Sequence, residues 1–415
     1  MDPETRGLVA RLVDEARALQ DGIVEDRRAL HRIPETGMEL PETAAFVTER
    51  LDALGIGWRP CGTVSPELTR RYEELGYPGV TRSTGVIAQI GSGGPCILLR
   101  ADMDALPIAE ENDLPFRSRR ACSHMCGHDA HAAMLLAAAA VLKRHEAELP
   151  GTVKLMFQPG EELGYGSKTM IDDGALEAPR VDAAFGLHVI ANEQAGRVSY
   201  TPGVTSSSLD TLAVRIQGRG GHTSAPQQCT DPLMVANQVY QAVNLLMTRE
   251  VDPAASITLS VGTMGGGTVP NALPDTAELK LGMRSFDVSA RAHVLERLPQ
   301  LIRDYCHAWR AGCEIAAFSC PCTYTSPELA AELLPALEAV AGPGAVRQTE
   351  PMAATEDFAY VSESVPSMFV QLGAGSPGAA PHHNPRMVLD ESVLWMGAAL
   401  HAAAAAGWLG GRARG

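Results

Sequence analysis

The chain has 415 residues, 45% of them hydrophobic and 20% charged, with a formal net charge of −15 and a pI near 5.3. Such usage builds packed interiors and argues against general disorder, and the length exceeds one ordinary core, so two domains are expected. Lys and Arg are scattered and not gathered into a stripe, and an acidic surface of this kind repels phosphate backbones and anionic lipid, which disfavours nucleic acid and membrane as partners.

The opening stretch MDPETRGLVARLVDEARALQDG mixes acids and Arg through a helical pattern and lacks the apolar core of a signal peptide, so a cytoplasmic protein is expected. Pro41 to Leu54 reads as a surface helix, with Pro at its first turn, Val47, Leu51 and Leu54 on one face and Gly55 past its end. Strand-like runs follow, VIAQI from 86, CILLR from 96, VKLMF from 153 and AAFGLH from 183, interleaved with the helical AAMLLAAAAVLKRH. That rhythm means an α/β layer fold. The apolar run at 132–142 is too short to span a bilayer.

From residue 206 the texture changes. Strand LAVRI (212–216) precedes a helix opened by Asp231-Pro232, with Ala236, Val239, Tyr240, Val243, Leu246 and Met247 expected on one face. SITLSVG, AELKLGM and a helical stretch at 287–310 complete an α+β sandwich with one exposed sheet face. Gly265-Gly266-Gly267 reads as a turn, because a phosphate-binding glycine loop should lead into a helix. After residue 320 the first rhythm resumes, with SMFVQLG at 367. The expected organisation is therefore an α/β domain of residues 1–205 and 320–415 interrupted by a smaller one of residues 206–319.

Residues 122–132, CSHMCGHDAHA, hold two cysteines and three histidines. A structural zinc site closes four ligands as two separated pairs, and no second pair lies nearby in sequence, so this cluster needs partners from elsewhere. Nine cysteines, an odd number, argue against a disulfide framework, and Cys320-Pro-Cys322 lacks the CxxC spacing. Partners stand just beyond strand ends, where open α/β sheets build their sites: Glu161 and Glu162 in QPGEE, His188 closing AAFGLH, Asp102 and Asp104 after CILLR, and His382 and His383 in PHHNP. Adjacent glutamates point different ways, so one can bind metal while the other handles a proton. Of two adjacent histidines, one ligand and one bystander are expected. Glu356-Asp357 in TEDF reads either as a helix start or as functional.

Taken in order, LHRIPETGMEL, RADMDALPI, HMCGHDAH, FQPGEE, GLHV, GRGGHTSAP, NALPD, TEDF and HHNP span nearly the whole chain. In these motifs it resembles the dinuclear metal-dependent amidohydrolases that include hippurate hydrolase, N-acyl-L-amino acid amidohydrolase and indole-acetyl-amino acid hydrolase. The resemblance implies an α/β metallopeptidase domain with a mixed sheet and an inserted, ferredoxin-like α+β domain serving as lid and dimerisation element. It implies a homodimer acting on small N-acyl amino acids or related amides. Cys126, His128, Glu162, His188 and His383 become ligands to two divalent ions, zinc or manganese, with cobalt or nickel as alternatives, and Glu161 becomes the general base. His222 would hydrogen-bond the carbonyl oxygen as it becomes an oxyanion, often from the partner subunit. Asn271 and Arg284 would hold a substrate carboxylate, and Asp104 and Asp129 would support the ligands by hydrogen bonds. Cys122 is left as a buried or incidental thiol, His124 as a residue that supports the ligands or packs, and His131 as a helix residue facing neighbours.

The chain also departs from the pattern. Asp102 stands where wider relatives show His in H-x-D and is not carried over as a ligand, and Gly160 and Met125 replace common alanines. Residues 62–82 are longer than the usual connection, as in some p-aminobenzoyl-glutamate-cleaving members, so the acyl pocket is expected to differ. A p-aminobenzoyl-glutamate or short-peptide hydrolase is the alternative enzyme. A catalytically inactive metal-dependent binding protein is disfavoured by the presence of both Glu161 and Glu162, since a binder needs the ligand but not the base.

Overall fold

The computed structural model describes residues 1–74 and 79–412. Parts of the long segment 62–82 and of the domain reaching 415, namely 75–78 and 413–415, lie outside the described residues.

The larger sheet has eight strands in the order Gly57–Cys61, Gly85–Gly91, Thr152–Gln158, Cys96–Asp102, Ala183–Gln194, Ser367–Gly375, Val198–Tyr200 and Val346–Gln348. Its centre is four parallel strands, Thr152–Gln158 through Ser367–Gly375, while Gly85–Gly91 and Val198–Tyr200 run antiparallel to their central neighbours. Cys96–Asp102 and Thr152–Gln158 are buried at every residue, which is why their apolar residues do not alternate with exposed polar ones, and their polar members Arg100, Asp102, Lys154 and Gln158 are buried as well. Their ends are flush, Asp102 pairing with Gln158. Ala183–Gln194 corrects the expectation that this strand stops at His188, for it runs on beside Ser367–Gly375. On the Cys96–Asp102 side, however, pairing ends at Gly186. On that side His188 is thus free of the ladder, where a site can form, while it stays paired with Gln371 on the other.

Helices cover this sheet. Asp2 caps Pro3–Ala18 by accepting from the Glu4 and Thr5 amides, and Leu8, Val9, Leu12, Val13 and Ala16 face inward. That face packs on the C-terminal helix Leu394–Arg412, which lies against the almost wholly buried helix His128–Arg144. The C-terminal segment is long and apolar enough to cross a membrane, yet 94% of its most apolar window is buried within the fold, the setting of a core helix.

The second sheet is antiparallel, in the order Ile257–Gly265, Thr276–Ser285, Leu209–Gln217, Gly312–Cys320. Along Thr276–Ser285 buried and exposed residues alternate. The buried set, with Leu212, Val214 and Ile216, packs under helices Pro232–Arg249 and Val288–Ala308 as a separate apolar core. Asp231 and Asp287 cap those helices. Tyr240 departs from its expected face: it is 43% exposed, and Val235 and Ala242 are buried instead. After Gly265 the chain makes an excursion rather than a tight turn, in which Ala272–Leu273 pairs with Gly221–His222.

Candidate metal centre and active site

The residues expected to bind metal converge at the carboxyl rim of the parallel strands. Gly127 precedes the helix His128–Arg144 with φ +89°, and a Cβ there would sit 2.7 Å from Val189, so only glycine lets Cys126 and His128 turn in together. Cys126 Sγ lies 3.5 Å from His188 Nε2. His188 Nδ1 is 2.6 Å from the Val189 carbonyl, which can only accept, so the proton sits on Nδ1 and Nε2 offers a bare lone pair. His128 Nδ1 is 3.3 Å from Asp104 Oδ1, and its buried Nε2 has no hydrogen-bond partner among the described residues. His383, in the left-handed region at φ 63°, brings Nε2 to 3.3 Å from Glu162 Oε1. Ligand-type atoms of Cys126, His128 and His188, and of Cys126, Glu162 and His383, form two groups in which all atoms lie within 4.8 Å of one another.

Asp104 organises the neighbouring turn. Its two oxygens accept from the amides of Glu161 and Glu162, each at 3.1 Å. Gly160 suits that turn, since φ is +68°, where glycine is favoured, and a Cβ there would require the Met38 side chain to move. The glutamates then diverge: Glu162 faces His383, while Glu161 Oε1 accepts from the Asp357 amide at 3.3 Å. Burial, then the charges of Glu356, Glu162 and Asp357, push the Glu161 carboxyl well above the ordinary carboxylate range. Burial also pushes Glu162 up, but the His383 hydrogen bond and the His128 charge outweigh it and leave its pKa lowered.

Sequence reasoning missed the hub beneath these residues. Arg100, fully buried, donates to Asp102 (2.8 Å), to Glu356 (2.8 and 3.2 Å), to Asp357 (3.1 Å) and to Gln158 (2.8 Å). Glu356-Asp357 is therefore an anchor for Arg100 rather than a simple helix start. The available signal was a charge inside the otherwise apolar run CILLR, because buried Arg requires partners.

Two further side chains differ from expectation. Asp129 does not support a ligand; it binds Arg27 Nε at 2.8 Å and His31 Nδ1 at 2.7 Å. Consecutive helix residues are rotated by about 100°, so with His128 facing the site its neighbour faces away. His131 is more than a helix residue facing neighbours: Nδ1 bonds Asp102 and Nε2 accepts from the Val189 amide at 2.9 Å, tying helix to strand beside His188. His382 accepts from the Ala191 amide at 3.1 Å with its ring edge-on to His188, whereas His383 turns toward Glu162.

Cys126, Glu161, Glu162, His188 and His383 line a cavity of about 390 Å³, and Arg284 reaches it from the second sheet, donating to Thr355. His222 and Asn271 are not brought to this cavity. They sit together, exposed, on the Gly221–His222 ribbon, where the Thr223 amide donates to the Asn271 carbonyl and Ser224 holds His222 Nδ1.

Residues 98–406 match the model for peptidase family M20/M25/M40. The chain is 32% identical over 405 residues to thermostable carboxypeptidase 2 of Saccharolobus solfataricus, covering 95% of this chain and 97% of that protein. It is 34% identical over 381 residues to N-acetyl-L-cysteine deacetylase of Bacillus subtilis, covering 91% and 85%. Among solved structures, the YXEP protein of Bacillus subtilis, described as a dinuclear metal binding peptidase, superposes with a TM-score of 0.72 at 28% identity, covering 94% of this chain and 98% of that one.

Proposed function

This chain belongs to peptidase family M20/M25/M40, and from that premise we propose that it is a metal-dependent amidohydrolase cleaving the amide of N-acyl amino acids or related small conjugates. The observation that carries the reading is the divergence of two adjacent glutamates, one toward the ligand-type cluster and one, with its proton affinity raised, toward a buried acid pair. The donor set suits two divalent ions held by Cys126, His128, Glu162, His188 and His383: the bare Nε2 of His188 and the unpartnered Nε2 of His128 are poised as ligands. Thiolate and imidazole favour zinc, and the carboxylate admits manganese. When bound, such ions polarise an amide carbonyl and lower the pKa of a water.

The protein's own groups do the rest. With Oε1 of Glu161 held by the Asp357 amide, Oε2, 4.0 Å from His128 Nε2, takes the proton of the attacking water and passes it to the departing nitrogen. Arg284 holds the substrate carboxylate with its planar fork. His222 and Asn271, remote in a single chain, serve the site of a partner subunit across a homodimer built on the second domain.

The test is free-amine release from N-acetyl, N-benzoyl and long-chain N-acyl amino acids and a dipeptide, using metal-stripped protein with zinc, manganese or cobalt restored. Release that requires metal is expected. Preference for the dipeptide would favour a short-peptide carboxypeptidase, the second reading suggested by likeness to carboxypeptidase 2. Silence across the panel with both metals bound would make the chain a binding protein.

His222→Ala is expected to lower kcat by about 10²–10³-fold with little change in KM. Mixing it with Glu161→Gln protein under subunit exchange should restore activity, because one site per mixed dimer then carries neither defect. A mixture that stays inactive would place His222 in its own subunit's site or outside catalysis.

A further inference from the structure

Helix Pro66–Glu74 lies in the stretch longer than the usual connection. In PELTRRYEE, Leu68 and Tyr72 are four apart and share one face, while Arg71 pairs with Glu67 (3.0 Å) and Arg70 with Glu74 (3.8 Å) on the exposed side. Ser65 Oγ accepts from the Leu68 amide at 3.1 Å, and Thr69 donates to the Val80 carbonyl, so the helix is capped at its start and tied through its middle to the chain beyond it. It packs on strand Gly312–Cys320 of the second sheet, in an apolar cluster that includes Ala213, Ala316 and Phe318, on the sheet face opposite the two long helices.

Tyr72 is the residue this seating positions. It is 3% exposed, with its ring 5.9 Å from Phe318 and 6.3 Å from Tyr165, and its hydroxyl donates to the Leu163 carbonyl at 3.2 Å. Leu163 directly follows the Glu161-Glu162 pair. Tyr165 in turn lies 5.9 Å from Phe318 and 5.5 Å from Tyr360. Tyr72, Leu163 and Phe318 line the same cavity as the ligand-type residues, and Arg284 is the one Lys or Arg among its described lining residues. A substrate therefore meets one fixed cation for a carboxylate and, beside aliphatic Leu163, Ile190, Leu209 and Met352, two tilted rings, Tyr72 and Phe318, backed by Tyr165 and Tyr360.

We propose that helix Pro66–Glu74 is an acyl-recognition strap, in which Tyr72 is a specificity-determining residue that favours flat aromatic acyl groups over long linear ones. The proposal rests on the amidohydrolase reading above. Rings meeting at a tilt or edge-to-face accept another ring in the same geometry. A flexible alkyl chain must surrender rotor freedom to lie against the same rigid wall, and Tyr72 blocks its extension toward the strap.

The experiment measures kcat and KM of the metal-loaded, full-length enzyme on the N-acetyl, N-benzoyl and N-decanoyl derivatives of one amino acid. The wild type should favour benzoyl. In Tyr72→Ala the benzoyl-to-decanoyl ratio of kcat/KM should fall by about tenfold or more, chiefly through KM, whereas Tyr72→Phe, which keeps the ring, should retain the preference. Should the alanine variant not fold, Tyr72→Leu, which keeps apolar bulk without the ring, must show the same fall. An unchanged ratio in a folded, metal-loaded variant would overturn the proposal and leave Tyr72 a structural prop. Wild-type cleavage of all three without a benzoyl preference would overturn it alone, while cleavage of none with both metals bound would overturn the amidohydrolase reading beneath it.

Discussion

Glu161→Gln is expected to reduce turnover by about 10²–10⁴-fold, the usual contribution of a positioned general base, with metal content and substrate affinity near wild type. Glutamine has the same shape, and its carbonyl oxygen can still accept from the Asp357 amide, so the turn held by Asp104 should survive. What it loses is the capacity to take a proton. The substitution also removes a charge from a buried group crowded by Glu162, Glu356 and Asp357, so thermal stability should be equal to the wild type or higher. Kinetics, elemental analysis for metal and calorimetric titration of a substrate separate the outcomes. Retained turnover would remove the proton-transfer role, and loss of metal would make Glu161 a ligand, a role open to it because it also groups with His128 and Glu162.

Arg100→Met should be the most destabilising single change near the site, by about 3–5 kcal/mol, because it strands Asp102, Glu356 and Asp357 without their shared cation. The loss should depend on pH. Burial and the Glu356 charge, opposed by Arg100, already place the Asp357 carboxyl at about 7, above the 3.8 of an unperturbed Asp. A carboxyl whose pKa is raised by folding binds its proton more tightly in the folded state, so its contribution to stability declines as pH rises from about 4 to about 7. Without Arg100 these carboxyls rise further, and keeping them ionised in the folded state costs more. The deficit should therefore be smaller at pH 5 than at pH 8 in urea denaturation. A deficit below about 1 kcal/mol at both pH values would reduce the hub to the worth of a surface pair.

Much of the site was legible because its residues sit where periodicity and motif order can be read. VKLMF followed by QPGEE, and CILLR followed by ADMD, place acids just past buried strands in sequence as they do in space. Gly127 and Gly160 mark left-handed backbone bends that favour glycine. Direction and distance were harder to read. Asp129 adjoins a ligand-type residue in sequence yet faces Arg27 and His31, and the strand bearing His188 runs on past the expected end because Ser367–Gly375 continues to pair with it.

By itself the sequence determined the alternation of strands and helices, the two sheets and the chemical types gathered at the strand ends, since these follow from local period and from groups that need metal or proton partners. Only the tertiary structure decided that Arg100 meets Glu356 across 256 residues, that Tyr72 walls the cavity with Phe318, and that His222 and Asn271 stand apart from it. Those pairings depend on how far-separated segments stack, and the free energy that selects them lies in burial and charge compensation summed over the whole fold, which no local pattern records.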